Sequence, residues 1–382
     1  MEGKNVLHII TVSFVINHFF GNQFLYLKTL SNNSYYLACS PSPELHQLSK
    51  KLGYIPTEIN ITRNISPFLD IKAIFLLYRF IKKNNIKTVV GHTPKGGMVA
   101  MIAANLAGVN QRIYFRHGII YETSSGIKRF LLKNIDRLSG NLSTKVVCVS
   151  NSVKKISILD KLNDPQKNIV LGLGTCNGID TEEKFNPQNV DPTIVNDLRN
   201  KYNLTEGDFV IGYVGRLVRD KGINELVAAF LILQSKYKKC KLLLVGPLED
   251  RDSITDYTKK EIQSNDSILH TGFVLDSAPY FKIMNVFVLP TYREGFPTVA
   301  LEASSMELPV LITRATGCEE SIIDKTTGVF ITHDTDDIVE SVSFFIDNPN
   351  SEIQLGLNGR KFVREKFKNK QIWDEINKEL HY

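Results

Sequence analysis

Short apolar runs alternate with segments of helical periodicity along the whole chain. Most runs are apolar at nearly every position, which is typical of strands buried on both faces of a parallel sheet. Because helical segments separate them, the pattern predicts an α/β fold with parallel sheets. The strands expected in the first half are Val6–Ile10, Tyr35–Ser40, Thr88–His92, Arg112–His117, Val146–Ser150 and Asn168–Leu171. Those expected in the second half are Phe209–Gly215, Leu242–Gly246, Ile268–Val274, Val286–Pro290, Val310–Thr313 and Val329–Thr332.

The strand pattern also predicts the domain organisation. Six strands followed by six indicate two Rossmann-like, doubly wound domains, and 382 residues are too many for one ordinary domain. The expected linker is Gly172–Pro187, which is rich in turn-forming Gly and Asn. We therefore expect a first domain over 1–180 and a second over 181–364. A helix over 365–382 is expected to join the first domain, with packing on the core of the second as the alternative.

Two carboxylates, Glu294 and Glu302, follow the expected strand Val286–Pro290. Pro297 lies between them and suits the first position of a helix, which places Glu294 in a turn and Glu302 one to two turns into that helix. The N-terminus of a helix favours a phosphate, whereas carboxylates are good acceptors for hydroxyls. A ligand with both groups, such as a nucleotide sugar, fits this segment.

A second segment of the same half carries cations after a strand. Gly215 and Arg216 follow the expected strand Phe209–Gly215, and Lys221 comes five residues after Arg216. Paired cations suit a diphosphate, and a glycine lets the backbone approach it. Ligands of open parallel sheets bind at the carboxyl ends of the strands. In the first half His92 and His117 occupy such ends, so we expect the active site in a cleft between the two domains.

These two motifs carry a family resemblance. Gly-Arg-Leu-x-x-x-Lys-Gly at 215–222 and Glu-Gly-Phe-Pro-x-x-x-x-Glu at 294–302 resemble the retaining glycosyltransferases of family four, which have the GT-B fold. The closest similarity is to bacterial enzymes that assemble capsular polysaccharide and O-antigen. It implies transfer of a sugar from a nucleotide-diphosphate sugar to a glycan or polyprenyl-diphosphate-linked acceptor. The donor that it implies is UDP-linked, and the sugar is a hexose or an N-acetylhexosamine. Shorter matches in the first half are 92–97, 115–118, 148–150 and 177–180.

The resemblance also implies roles for individual residues. Arg216 and Lys221 would neutralise the diphosphate, Glu302 would accept the ribose hydroxyls, and Glu294 would hold hydroxyls of the donor sugar. The catalytic set would be completed by His117, near the donor sugar. The other donor-binding positions would be Gly21, Gly215, Phe273, Val274, Gly295, Phe296, Pro297 and Thr298. At Gly21 the sequence departs from the Gly-Gly pair that is common in the family, since Asn22 follows Gly21.

Neither a metal nor another cofactor is expected. The Asp-x-Asp segments 250–252 and 334–336 match a metal-binding pattern but lie in polar, loop-like stretches. A glycosidase using Glu294 and Glu302 as acid and nucleophile is an alternative, although it would not need the preceding cations. A nucleotide-sugar hydrolase or epimerase of the same fold, and a non-catalytic nucleotide-sugar-binding protein, also remain open.

Charge is distributed unevenly along the chain. Residues 1–180 contain 22 Lys and Arg against 9 Asp and Glu, whereas the rest contain 24 against 31. The segments 71–83 and 126–133 are both apolar and basic, which predicts contact with an anionic membrane surface; ordinary helix packing is the alternative. A compact basic and aromatic module for nucleic acid is missing.

Apolar runs of strand length, five scattered cysteines and an N-terminus without a secretory signal indicate a cytoplasmic protein. With the basic first half, we expect peripheral attachment to the cytoplasmic face of the inner membrane.

Overall fold

The computed structural model describes residues 3–64, 66–250 and 252–380, except for the side chains at 349, 350 and 352. The chain divides into two compact units. Unit 1 contains the chain up to Gly178 and again from Asn369, and unit 2 is Ile179–Lys368. The chain therefore passes from one unit to the other twice.

Unit 1 is built on a parallel sheet. In the described residues it has seven strands in the order β3-β2-β1-β4-β5-β6-β7. The strands are β1 (Asn5–Ile9), β2 (Ser34–Cys39), β3 (Ile55–Glu58), β4 (Thr88–His92), β5 (Gln111–Arg116), β6 (Lys145–Cys148) and β7 (Asn168–Ile169). The α-helices are α1 (Ile16–Phe19), α2 (Gln23–Leu30), α3 (Pro43–Leu52), α4 (Pro67–Lys83), α5 (Pro94–Leu106), α6 (Gly126–Leu142), α7 (Asn151–Leu159) and, from the end of the chain, α15 (Asn369–Leu380).

One strand of this sheet was not expected from the sequence. β3 pairs with β2, from Tyr36 opposite Ile55 to Cys39 opposite Glu58. It is short, contains Pro56 and is at most partly buried, so it lacks the apolar run by which the other strands were found. These are properties of an edge strand. The prediction of six strands in the first half was therefore wrong by one.

Unit 2 repeats the architecture. Its described residues form six parallel strands in the order β10-β9-β8-β11-β12-β13. The strands are β8 (Phe209–Val214), β9 (Cys240–Val245), β10 (Ile268–His270), β11 (Val286–Leu289), β12 (Val310–Thr313) and β13 (Gly328–Ile331). The α-helices are α8 (Pro192–Lys201), α9 (Ile223–Lys236), α10 (Asp256–Ser264), α11 (Ala278–Phe281), α12 (Thr298–Ser305), α13 (Thr335–Asp347) and α14 (Pro349–Lys366).

In each sheet the first strand is central, the next two strands extend the sheet on one side of it, and the later strands extend it on the other side. This is the strand order of a doubly wound Rossmann-like domain. The predicted fold class, two parallel-sheet α/β domains, is confirmed. Strand ends differ by a few residues, most at β10, where the expected strand to Val274 ends at His270. Polar residues or glycines follow many of the strands at their carboxyl ends, and several of the residues singled out from the sequence are among them.

The terminal helix α15 packs within unit 1. Its apolar face buries Ile372, Trp373, Ile376 and Leu380. The indole Nε1 of Trp373 donates to Asn177 Oδ1 at 2.8 Å, and the hydroxyl of Tyr26 donates to Asp374 at 2.6 Å. The last helix thus packs against α2, which lies near the start of the chain.

A fully buried arginine holds the second half of unit 1 together. The guanidinium of Arg116, at the end of β5, donates to Asp136 Oδ1 at 2.9 Å, to Ser157 Oγ at 2.5 Å and to Asn163 Oδ1 at 3.0 Å. Burial opposes its charge, but Asp136 raises the pKa of Arg116 above its ordinary value. One side chain therefore links β5 to α6, to α7 and to the loop before β7.

We predict that Asp136→Ala lowers the free energy of unfolding by about 3–5 kcal/mol, because the arginine is left as an uncompensated buried charge. Chemical denaturation measures the change. Asp197→Ala, at an exposed position of α8, is the matched control and should change stability by less than about 0.5 kcal/mol. Equal effects of the two substitutions would show that the buried network does not contribute as described.

Candidate active site

The carboxyl ends of three neighbouring strands are held close together in unit 2. A Cβ on Gly246, after β9, would lie 1.9 Å from the carbonyl oxygen of Gly215, after β8. Gly246 also forms an antiparallel bridge with Gly272, after β10. The backbone here tolerates no side chain at position 246, and Gly215 itself has a φ of +150°. The loops after β8, β9 and β10 therefore form one compact edge.

Lys221 and Glu294, both singled out from the sequence, contact each other. Lys221 ends a short 3₁₀-helix, Arg219–Lys221, and Gly222 follows with φ +73°. A Cβ on Gly222 would lie 2.0 Å from the carbonyl oxygen of Pro290, so this turn packs directly on the strand end before Glu294. The Lys221 ammonium lies 2.5 Å from Glu294 Oε1, and the side chains are 17% and 13% exposed. This ion pair was not foreseen.

Arg216 has a carboxylate partner of its own. Its guanidinium lies 2.9 Å from Glu249 Oε2. Burial lowers its pKa, but the hydrogen bond and charge of Glu249 outweigh this and raise it. Glu249 was not among the residues singled out from the sequence. It comes four residues after the end of β9. Its position near the carboxyl end of a strand is the sequence feature by which it could have been identified.

The motif 294–302 is held by the loop after β12. The N–H of Glu294 donates to the carbonyl oxygen of Thr316 at 2.8 Å. A Cβ on Gly317 would lie 2.6 Å from the carbonyl oxygens of Glu294 and Gly295. Thr316 and Gly317 were also missed, although a glycine shortly after a strand is the signal that identified Gly215. Their contacts fix the backbone of the turn.

The helix of this motif begins one residue later than expected. Pro297 has ψ 75° and precedes α12, whose first residue is Thr298; the prediction that Pro297 is the first helical residue was wrong. In the described part of the chain, the backbone N–H groups of Gly295 and Phe296 make no hydrogen bond to protein. Two amides before a helix start are therefore available to an anion.

Glu302 lies on α12, the helix that follows the turn of Glu294. Burial raises the pKa of its carboxyl group to about 7; Lys184 opposes this shift and Asp276 adds to it. Its charged neighbours are thus different from those of Glu294. The arrangement does not resemble two carboxylates sharing one site.

Phe273 and Val274 lie in the loop after β10. The side chain of Phe273 is exposed, and Val274 packs against the core of unit 2. The bridge between Gly246 and Gly272 brings the backbone just before Phe273 to the edge that carries Gly215.

In unit 1 the structure brings His117 to the loop of Gly21. The ring of Phe19 stacks on that of His117, with centroids 4.0 Å apart and an interplanar angle of 10°. Gly21 follows with φ +46°, and a Cβ there would lie 3.2 Å from Asn177 Nδ2. Nε2 of His117 lies 3.0 Å from Nδ1 of His92. His92, whose role was left open, is therefore a direct partner of a candidate site residue.

The two Asp-x-Asp segments have structural partners. Asp252 pairs with Arg219 at 3.0 Å and accepts from the N–H of Asp220, while Arg251 lies outside the described residues. Asp334 caps α13. Across the described residues, no group of three or more His, Cys, Asp or Glu side chains is placed to hold a metal ion. Metal independence itself stays a prediction.

The apolar and basic segments form two helices, α4 and α6, which both pack against α5. Their exposed apolar side chains include Phe68, 90% exposed, and Ile127, 80% exposed. No helix among the described residues has the length and apolarity needed to cross a bilayer.

Comparison with known proteins places the chain in a family. The model for glycosyl transferases group 1 matches residues 195–362, and that for glycosyl transferase 4-like proteins matches residues 9–150. The capsular polysaccharide biosynthesis glycosyltransferase CapM of Staphylococcus aureus is 34% identical over 379 residues, covering 98% of this chain and 96% of CapM.

A second relative is the UDP-Gal:alpha-D-GlcNAc-diphosphoundecaprenol alpha-1,3-galactosyltransferase of Escherichia coli. It is 30% identical over 277 residues, covering 70% of this chain and 67% of that enzyme. Among solved structures, a glycosyltransferase from Rickettsia africae ESF-5 superposes with a TM-score of 0.80 at 21% identity, covering 100% of this chain and 99% of that one. The chain therefore belongs to the glycosyltransferases, has the GT-B fold, and counts capsular polysaccharide and O-antigen glycosyltransferases among its relatives.

Proposed function

We propose that the protein is a retaining glycosyltransferase of surface polysaccharide synthesis. It transfers a hexose or N-acetylhexosamine from a UDP-linked donor to a glycan carried on polyprenyl diphosphate. The observation that carries this proposal is the Lys221–Glu294 pair beside the open amides of Gly295 and Phe296. The names of CapM and of the Escherichia coli galactosyltransferase support the substrate classes.

The donor diphosphate is bound by cations and amides. An ammonium group has three N–H donors, and Glu294 occupies one of those of Lys221. The remaining donors, together with Arg216 and the amides of Gly295 and Phe296, are directed to the phosphates. As the sugar leaves, negative charge grows on the diphosphate, and fixed positive groups stabilise this charge without a metal.

The hydroxyl groups of the donor are bound by the two glutamates. Oε1 of Glu294 accepts a hydrogen bond from Lys221, and its second carboxylate oxygen binds the sugar. Glu302 accepts hydrogen bonds from the ribose hydroxyls. A hydrogen bond to a charged group contributes about 1.5–3 kcal/mol, so each glutamate is worth one to two orders of magnitude in affinity.

The transfer itself exchanges one C–O bond for another at the anomeric carbon. The bond to the β-phosphate oxygen breaks and the bond to the acceptor oxygen forms on the same face of the sugar. The proton of the acceptor hydroxyl passes to the departing diphosphate, so no protein nucleophile takes part. His117 contacts the donor sugar during this step.

The experiment that tests the function incubates purified protein with a panel of nucleotide sugars and a polyprenyl-diphosphate-linked acceptor. The anomeric configuration of the product, measured by NMR coupling constants, should match that of the donor. Release of free sugar without acceptor glycosylation would identify a hydrolase instead. Binding of a nucleotide sugar without any turnover would identify a binding protein.

We predict that Arg216→Ala lowers kcat/KM at least 100-fold, as expected for loss of one charge-stabilising donor. Arg219→Ala is a matched control three residues away, since Arg219 is a more exposed arginine paired with Asp252. It should retain transfer within about threefold. Steady-state transfer assays and thermal melts of both variants decide, and comparable losses in the two would remove Arg216 from the site.

For Glu302 we predict opposite effects on stability and on binding. Its folded pKa of about 7 lies above that of an unfolded glutamate, so its contribution to stability is full below about pH 4.3 and is lost as pH rises through 7. Glu302→Gln should therefore stabilise the free protein at pH 8, by at most about 4 kcal/mol.

The same substitution should weaken binding of UDP, because ribose hydroxyls bind the charged carboxylate better. In the unchanged protein UDP affinity should rise between pH 6 and pH 8, measured by calorimetry. Glu319→Gln, on an exposed loop position, is the control. UDP affinity that is independent of pH and of Glu302→Gln would exclude the ribose role.

We propose further that unit 1 attaches to the anionic cytoplasmic surface of the membrane through α4 and α6. Both helices flank α5 and combine exposed apolar side chains with lysine and arginine. Apolar side chains enter the interface while the cations attract anionic headgroups. A lipid-linked acceptor would then be reached in the plane in which it lies.

We predict that Phe68→Ser together with Ile127→Ser reduces co-sedimentation with phosphatidylglycerol vesicles at least fivefold. The matched control is Leu159→Ser, since Leu159 is 70% exposed on α7 and should not matter. Vesicle binding should also fall when the salt concentration is raised, because salt screens the attraction between the basic side chains and the anionic headgroups. Equal sedimentation of both variants would leave these helices with an ordinary packing role.

A further inference from the structure

Three histidines of unit 1 form a continuous hydrogen-bonded chain. Nδ1 of His8, on β1, lies 3.1 Å from Nε2 of His92, at the end of β4. Nδ1 of His92 lies 3.0 Å from Nε2 of His117, just after β5. These strands are neighbours in the sheet, in the order β1-β4-β5. This row of three histidine rings therefore crosses the sheet from the buried His8 to His117, a candidate site residue.

The first two members are almost completely shielded from water, His8 being 1% and His92 2% exposed. Aromatic rings surround them. The ring of His8 packs edge-on to Phe20 and Phe24, and that of His92 stacks on Phe115. Such surroundings leave few rotamers open, so the two bonds have fixed geometry.

All three imidazoles are neutral at pH 7. Burial lowers the pKa of His8 to about 3 and that of His92 well below 6.5, with the other two histidines adding to the shift of His92. Burial, and then the charge of His18, lowers the pKa of His117 to about 3. A neutral imidazole has one N–H donor and one acceptor nitrogen.

This restriction couples the three tautomers. If Nδ1 of His92 donates to His117, then Nε2 of His92 must accept, and Nδ1 of His8 must donate. All three rings then carry their proton on Nδ1. In the opposite direction all three carry it on Nε2. Each link joins Nδ1 of one ring to Nε2 of the next, so no mixed arrangement keeps both hydrogen bonds.

We propose that His92 and His8 are positioning residues that fix the tautomer and orientation of His117. The chain occupies Nε2 of His117, which leaves Nδ1 as the nitrogen through which this ring meets a ligand. His117 thereby presents one defined group, a donor or an acceptor, to a sugar hydroxyl. This consequence for transfer rests on the proposed function, whereas the coupling of tautomers does not.

Nitrogen NMR of the full-length protein tests the coupling directly. In a sample with ¹⁵N-labelled histidine, long-range proton–nitrogen correlations distinguish Nδ1–H from Nε2–H rings. We expect His8, His92 and His117 to share one tautomer at pH 7. A different tautomer at any of the three would overturn the proposal, and this measurement needs no variant.

Substitutions then test the dependence of His117 on its partners. In His92→Phe the partner nitrogen is lost at similar volume, and His117 should change to a mixture of tautomers. His46→Phe, at an exposed histidine paired with Glu58 on the same unit, is the control and should leave the signals of His117 unchanged. An unchanged tautomer of His117 in folded His92→Phe would contradict its positioning role.

The functional consequence is measured in the same variants. His92→Phe should lower kcat/KM for transfer about tenfold, the equivalent of one lost hydrogen bond, with unchanged affinity for UDP alone. Full transfer activity in a folded His92→Phe whose His117 tautomer has changed would refute the catalytic relevance of the chain. Failure of the proposed function would instead appear as absence of transfer by the unsubstituted protein, with the NMR result intact.

Discussion

Parallel pairing of the strands is the constraint on which the rest of this structure depends. A parallel strand can follow its neighbour only after a crossover, so helices cover both faces and every strand ends at the same edge. Polar residues that leave a strand at its carboxyl end are therefore gathered along one line. In unit 2 this line contains Gly215 with Arg216, Gly246 with Glu249, Glu294, and Thr316 with Gly317. In unit 1 it contains His92 and His117.

Charges along the edge of unit 2 are already paired in the free protein. Lys221 pairs with Glu294, Arg216 with Glu249, and Arg293 with Asp220 at 2.8 Å. Pairing holds long cationic side chains in place and lowers the cost of keeping them partly buried. The diphosphate of the proposed donor would then share or replace a carboxylate partner. An anion with less charge would gain less from this exchange, so the paired edge would favour a diphosphate over a weaker anion.

The sequence was sufficient for the fold class and for most strands because fully buried parallel strands have continuous apolar runs. It was not sufficient for β3, because an edge strand requires no such run. It also misplaced the start of α12 by one residue, since Pro297 precedes the helix and Thr298 is its first residue. The two sequence motifs identified Lys221 and Glu294 separately. Their contact could not be predicted, since it depends on the turn at Gly222 packing on Pro290. The His8–His92–His117 chain was missed for a similar reason: only the order β1-β4-β5 makes these residues neighbours.

The double passage of the chain between the units makes unit 2 an insertion within unit 1. Its two ends lie side by side: Ile179 donates its N–H to Phe367 at 2.7 Å and bridges Lys368. The matching ends of unit 1 are also joined, through Asn177 and Trp373. A segment whose termini meet can be exchanged for a homologous one without extending the flanking chain. Recombination at these two adjacent crossing points would replace the unit proposed to bind the donor while keeping the other, so that new sugar linkages arise from the shuffling of whole modules.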